Sequence, residues 1–406
     1  MMKQSDNSGA TVMASATTQP AAAFRLFTFF GGKTVRSWCY QLLLALLLTG
    51  FSYWLYSNVV ANLHAQRIAT GFGFLHQSAQ FAIGETLINY TPQDSYARAL
   101  AVGLLNTLYV TLCGIVLATV LGFIVGIGRV SKNWLLVKIS VTYVEMLRNV
   151  PVILHVIFWS MVIRNLPPPR DAIALPGGFL TNRGLTFTVP AAHSGWLWAF
   201  VALLVACALS LLLSLVARRW RERHGKMLPT GRIRLALIIG LPLLAWWLCG
   251  APHELNRPAL RGFNFRGGFN ITPEFTALLL GIALYSSSYI AEIVRAGIQS
   301  VPKGQLEAAR ALSFSPWHVM RHVVIPQAMR VMVPPLASKY VSLAKNSSIA
   351  VVIGYPELAN ISNTMMSQTG QALEAIAIMM VVYLIISGTT SLLMNLFNRY
   401  VAIKER

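Results

Sequence analysis

The sequence predicts an all-α polytopic membrane protein with about eight transmembrane helices. Three observations lead there. The 406-residue chain is 55% hydrophobic and only 11% charged. Its apolar residues gather in runs long enough to cross a bilayer, which takes about 20 mostly apolar residues each. No segment alternates as a barrel strand would, and helices are then the way to span lipid with every backbone group satisfied.

Eight runs qualify: Ser37–Val60, Arg98–Gly128, Leu136–Ile163, Gly195–Ala217, Ile233–Gly250, Thr272–Arg295, Val331–Gly354 and Ala372–Leu396. Trp196 and Trp198 open the fourth, and Trp246 and Trp247 close the fifth, at the depth where interfacial rings sit. Residues 1–36 form a leader. Its first 23 residues are rich in Ser, Thr, Ala and Gln and read as disordered. The first apolar run is too long for a signal peptide, and no small-residue cleavage site follows it. "FFGGKT" at Phe29–Thr34 lacks the earlier glycine of a phosphate-binding loop, with Phe27 standing there instead. Cys39, Cys113, Cys207 and Cys249 lie in or at the ends of spans without metal-ligand spacing and read as small packing residues.

A net charge of +20 in a soluble protein would suggest nucleic acid. Here the charge is distributed by topology. Arg25, Lys33 and Arg36 precede the first run, and Arg129, Lys132 and Lys138 follow the second. "RRWRERHGKMLPTGRIR", after the fourth, carries seven Lys or Arg, whereas Tyr355–Gln371 carries none. This is the positive-inside asymmetry, and it predicts cytoplasmic N- and C-termini. No basic patch with stacking aromatics stands apart from the membrane, so nucleic-acid binding is not expected.

Polar residues within spans face the bundle interior or a water path. In the second run Gly114, Ala118, Gly122 and Gly126 repeat every four residues and form a groove for close helix packing within the bundle. "YVEMLRNVP" places Glu145 and Arg148 three residues apart, able to pair, with Pro151 loosening the helix beyond. "YSSSYIAEIVRAG" contributes Ser286, Ser287, Ser288 and Glu292. In "PPLASKYVSLAKNSSIA", Ser338, Ser342 and Lys345 share a face, with Lys339 and Asn346 beside it. The candidate translocation path is therefore Glu145, Arg148, Ser287, Glu292, Ser342, Lys345 and Asn346, and a zwitterionic or anionic solute suits Lys345 and Arg148. Only 13 carboxylates occur, scattered singly, with no acid–base pair and no nucleophile. The chain is not expected to be an enzyme. His318 and His322 share a helix face, but no glutamate or third ligand accompanies them, so no metal site is expected.

Between the sixth and seventh runs lies "GQLEAARALSFSPWHVMRHVVIPQA", Gly304 to Ala328. Pro302 begins one helix, in which Leu306, Ala309 and Leu312 fall on one side and Gln305, Glu307 and Arg310 elsewhere. Ser315 caps a second helix that starts at Pro316. That helix is expected to turn Trp317, Met320 and Val324 inward and His318, Arg321 and His322 outward, and to end at Pro326. A helix–turn–helix with an apolar groove is a docking element.

These residues resemble the EAA loop of ATP-binding-cassette importer permeases. "YVEMLRNVP", "AEIVRAGIQSVPKGQLEAARAL", "LAKNSSIAVVIGYPEL" and "QTGQALEAIAIMMVVYLIIS" are similar to permeases of polar amino acid importers, of the long, general L-amino acid type. The resemblance covers roughly residues 99–163 and 271–401. It implies a type I importer core of five helices, with additional helices, divided between 98–164 and 272–401, the EAA loop occupying 298–330. Residues 37–60 are then an added N-terminal span, 61–97 a periplasmic loop, and 165–271 an insert with two added spans. It further implies that Gly304, Gln305, Glu307, Ala308, Ala309, Arg310, Leu312, Ser313, Pro316, Pro326 and Gln327 seat on a separate ATPase subunit, where ATP and Mg reside; this chain binds no cofactor. A second permease subunit, identical or homologous, and a periplasmic amino-acid-binding protein complete the assembly in the bacterial inner membrane, with an amino acid as substrate.

One position departs from the pattern. Ser313 stands where the family usually has glycine, at a turn that calls for φ > 0. The rival reading is an ion-coupled secondary transporter, which would show paired halves with interrupted helices and midplane carboxylates. No internal repeat is seen, and that reading leaves the loop unexplained.

Overall fold

Short polar side chains start the helices. Ser95 accepts from the Arg98 N–H, Asn133 from those of Leu135 and Leu136, and Thr272 from that of Phe275, with Pro273 at the first helical position. Each satisfies donors that a helix start leaves unpaired. In the computed structural model these starts organise a mostly helical chain, described over residues 33–65, 70–224, 230–251 and 253–401. Most of the expected leader, and the Phe29–Gly32 part of the glycine turn, lie outside the described residues.

Residues 1–70 and 71–406 form two compact units. The described part of the first is one apolar helix, α1 (Lys33–Ala65). The second unit contains α2 (Tyr96–Arg129), α3 (Trp134–Arg148), α4 (Val152–Arg164), α5 (Ser194–His224), α6 (Thr230–Leu248) and α7 (Pro273–Gln299). After these come α8 (Lys303–Ala311), α9 (Pro316–Val319), α10 (Ile325–Asn346), α11 (Leu358–Thr369) and α12 (Ala372–Val401).

By length and composition, six of the described helices are able to cross a membrane: α1, α2, α5, α6, α7 and α12. There are seven if α3 and α4 together count as one. Two of the eight expected spans differ from the expectation. Leu136–Ile163 is not one rod but two helices meeting at 101°. Pro151 has no N–H and holds Val150 away from helical geometry, which ends α3 after Arg148. Val331–Gly354 is carried by α10 and a 3₁₀ turn, Ser347–Ile353, stopped by Gly354 at φ 80°. Its serines and lysines keep it below the hydropathy of a lone span, and it packs instead against α7 and α12.

The core is centred on α7, which touches α2, α3, α4 and α10. The small-residue ladder of α2 is the α2–α7 seam, as expected. Gly114, Ala118, Gly122 and Gly126 are all buried. A Cβ on Gly122 would lie 2.5 Å from Ile290 Cγ2, and one on Gly126 would lie 2.6 Å from Val294 Cβ.

The insert also contains strands. β1 (Ile173–Leu175), β2 (Gly178–Thr181), β3 (Gly184–Phe187) and β8 (Phe269–Ile271) make an antiparallel sheet in that order. β4 (Val189–Pro190) pairs with β5 (Leu255–Asn256), and β6 (Ala259–Arg261) with β7 (Asn264–Arg266). Leu185 opposite Ile271 brings the two ends of the insert together, so the α5–α6 pair extends from a closed base directly joined to the start of α7.

Candidate functional site

The loop at one end of the bundle is built as two short helices around a reversed turn. The Ser313 N–H donates to Arg310 O at 2.9 Å and the Phe314 N–H to Ala309 O at 3.2 Å. This is the Schellman pairing, whose pivot residue is left-handed. Ser313 has φ 57°, so the serine adopts the glycine conformation and the turn is not rebuilt. A side chain there costs about 1 kcal/mol. Ser313→Gly is therefore expected to raise thermal stability slightly and to leave transport unchanged. A loss of transport in that variant would show that the serine hydroxyl itself is needed.

Ser315 Oγ then accepts from the His318 N–H at 3.4 Å and lies 2.6 Å from His318 Nδ1. His322 Nδ1 lies 3.2 Å from His318 O. Both Nδ1 atoms are thus engaged within the helix. Pro326 does not end the second helix as expected. Met320–Val324 forms a π turn, in which the Ile325 N–H reaches Met320 O, and the helix continues as α10 with Pro326 in its first turn. The widened turn accommodates a residue that has no N–H to offer.

The burial pattern also differs from the expectation. Val319 and Val324 are buried, together with Ala309, in the same apolar cluster as Val294, Ala328 and Met332. Neither Trp317 nor Met320 is inward as expected: Trp317 is 64% exposed and Met320 is exposed too, with Leu312 at 70% and Phe314 at 46%. Gly304, Gln305, Glu307, Ala308, Arg310, Ser313 and Pro316 are exposed around them, and Pro326 and Gln327 are half-buried. The loop is thus fixed to the bundle by one face and presents a rigid apolar collar, edged by charges, on the other.

The second region is a cleft of about 510 Å³ beside the α3–α4 break. Irregular backbone at membrane depth occurs where it is buried in protein or lines a cavity. Arg148 and Val152 line the cleft from either side of the break. Tyr285, Tyr289 and Glu292 come from α7, and Pro335, Ser338, Lys339, Ser342 and Asn346 from α10. Lys339 Nζ lies 3.9 Å from the Tyr289 ring centroid and 4.6 Å from that of Tyr285. The Arg148 guanidinium lies 4.9 Å from the same Tyr289 ring.

Of the residues expected along a path, Arg148, Glu292, Ser342 and Asn346 meet in this cleft. Three do not. Glu145 is exposed, outside the cleft, and makes no ion pair with Arg148, whose guanidinium covers Tyr289 instead. Lys345 is exposed and is not part of the lining. Ser287 is buried in the α7 packing, where its hydroxyl is 2.7 Å from Tyr143 OH. Lys339, expected beside the polar face rather than in the path, lines the cleft, as do Tyr285 and Tyr289, to which the sequence assigns no role. Pro335, Lys339, Ser342 and Asn346 recur at i, i+4, i+7 and i+11, which is one helix face, and Tyr285, Tyr289 and Glu292 recur in the same way. That spacing is the signal that finds them. Glu292 is held by ion pairs to Arg129 and Arg295.

The opposite end of the bundle is tied by Glu357, the buried cap of α11. Its carboxylate accepts from the Asn360 N–H at 2.9 Å and from Tyr383 OH at 2.7 Å, and lies 3.3 Å from Thr107 Oγ1. Thr107 Oγ1 in turn accepts from the Leu358 N–H at 3.0 Å. Burial pushes the Glu357 carboxyl above its ordinary range, against the pull of these donors. Nearby, Glu85 accepts from the Thr272 hydroxyl at 2.5 Å, and burial together with Glu274 pushes it up as well.

Comparison with known proteins agrees with this geometry. Residues 118–405 match the family described as binding-protein-dependent transport system inner membrane component. The chain is 48% identical over 380 residues to the putative amino-acid ABC transporter permease protein YhdX of Escherichia coli, covering 93% of this chain and 97% of that one. It is 44% identical over 373 residues to the general L-amino acid transport system permease protein AapQ of Rhizobium johnstonii, covering 91% and 93%. It is 38% identical over 428 residues to the glutamate/glutamine/aspartate/asparagine transport system permease protein BztB of Rhodobacter capsulatus, covering 97% and 100%. With a helical bundle, a projecting loop and near full-length similarity in agreement, this multi-pass inner membrane chain belongs to the family of binding-protein-dependent transport system inner membrane components, the permeases of ABC transporters.

Proposed function

We propose that this permease carries amino acids across the inner membrane, driven by a separate ATPase that seats on the collar of the α8–α9 loop. The collar carries the reading: Leu312, Phe314 and Trp317 are exposed while Ala309, Val319 and Val324 anchor the same loop in the core. An apolar surface held this rigidly at the end of a bundle is suited to transmit a partner's movement. Charge asymmetry supports a cytoplasmic position for this end and for both termini. ATP and Mg belong to the partner. A second permease, identical or related, and a periplasmic amino-acid-binding protein complete the transporter, and the relatives named for amino acid transport support the substrate class. Closure of the ATPase pair pulls the loops together, and rocking of the bundle exposes the cleft alternately to either side.

Glu307 and Arg310 edge the collar and are solvent-exposed. Replacing both by alanine is expected to leave membrane insertion normal and to reduce ATP-driven uptake by about tenfold, the size of effect a lost charged interface pair produces. Gentle affinity purification read by mass spectrometry is the direct test. A cassette ATPase should follow the intact chain and be lost from Leu312→Ser/Trp317→Ser. If no ATPase accompanies the intact chain while other membrane complexes survive the same conditions, this reading falls and ion-coupled transport must be tested instead.

A further inference from the structure

Lys339 lies in the interior of α10, fourteen residues beyond its start, or about 21 Å along the helix axis. A charge half-buried between packed helices is costly unless something compensates it. Tyr285 and Tyr289 offer ring faces to it, and Arg148 adds a second cation over Tyr289. Ring faces attract cations without neutralising them. The carboxylate that lines the cleft, Glu292, is already shared between Arg129 and Arg295. Among the described residues, neither Lys339 nor Arg148 has a carboxylate in ion-pair range.

The cleft therefore holds two cations in excess, within a membrane-spanning bundle and beside a broken helix. We infer that it is a carboxylate-recognition site, with Lys339 and Arg148 receiving the carboxylate of the transported solute. This deepens the pathway reading and rests on it. A carboxylate seated between the two cations leaves Ser338, Ser342 and Asn346 for the ammonium group of a zwitterion, with the Tyr285 and Tyr289 faces nearby. Recognition then rests on the part that all amino acids share. The solute's own side chain points into the open part of the cleft, so one site serves many side chains.

The test uses the whole transporter, with its ATPase, in proteoliposomes, supplied with binding protein and a radiolabelled mixture of L-amino acids. The readout is amino acid imported per ATP hydrolysed. Lys339→Gln is expected to lower that ratio about tenfold, the loss typical of a hydrogen bond to a charged group. Lys339→Arg should keep most of it, and ATPase stimulation by loaded binding protein should survive in both. In nanodiscs without binding protein, the wild type should bind L-glutamine and fail to bind its α-amide, in which the carboxylate is neutralised; Lys339→Gln should lose that difference.

Import per ATP equal to wild type in Lys339→Gln, or equal binding of glutamine and its α-amide by the wild type, overturns the inference. So does a parallel collapse of import and ATPase activity in both variants, which would mark Lys339 as a packing residue. A wild type that imports no amino acid overturns the pathway reading instead.

Discussion

Gly122→Val is expected to give a permease that separates at the α2–α7 seam. The added Cβ would stand 2.5 and 2.6 Å from two carbons of Ile290 and 3.0 Å from the backbone oxygen of Ser287. A backbone oxygen cannot move aside as a long side chain would, and valine adds two further methyl groups in the same direction. Overpacking of this kind costs about 1–3 kcal/mol, and the seam is shared with Gly126, where Val294 and the Ala291 oxygen are as close. The purified, reconstituted variant should unfold about 1–4 °C below wild type, with reduced monodisperse yield. Gly240→Val on α6, where nothing lies within 4 Å, should behave as wild type. Equal behaviour of the two variants would show that the ladder is not a packing seam.

Removal of the Glu357 carboxyl is expected to have a comparable effect at the opposite end. Glu357→Ala deletes the cap of α11, worth about 1 kcal/mol, and leaves the Tyr383 hydroxyl without its acceptor, for which about 1–3 kcal/mol is typical. A total near 3 kcal/mol follows, read as a fall in Tm. Glu357→Gln keeps an acceptor for the Asn360 N–H and should lose less. Because the folded carboxyl titrates above its ordinary range, it contributes stability below the unfolded pKa of about 4.3. That contribution disappears as pH rises through the folded value. Wild type should therefore lose stability with rising pH relative to Glu357→Gln; parallel curves for the two proteins would contradict the assigned burial.

How far the sequence carried differs from element to element. The long spans and the α8–α9 loop were legible because their signals are local: hydropathy over about 20 residues, and serine and proline at fixed places around a turn. Ser313 was legible for the same reason, since a left-handed residue is set by its neighbours in the chain. The β3–β8 pairing was not legible. Its strands have four and three residues and meet across 86 positions, too short for alternation to register.

Trp317 was placed inward because an apolar helix face is ordinarily the buried one. On a surface that we propose receives a partner the rule inverts, and the chain alone cannot announce it. The choice between Lys339 and Lys345 failed for a different reason. Six residues separate them, a rotation of about 120° on a helix, and both flank Ser342. Which of the two faces the cleft is decided by where α7 sits, and that is tertiary information.

The π turn at Met320–Val324 has a further consequence for how α9 and α10 evolve. Between Pro316 and Asn346 the rod is continuous, yet one residue more than an α-helix requires is stored near its start. Loss of a single residue there would convert the turn to α geometry without interrupting the rod, and would swing the Trp317 side by about 100° about the axis. The collar and the Lys339 face are therefore indexed independently on one shaft. One deletion or insertion there would re-aim the collar while leaving every residue of the cleft in place.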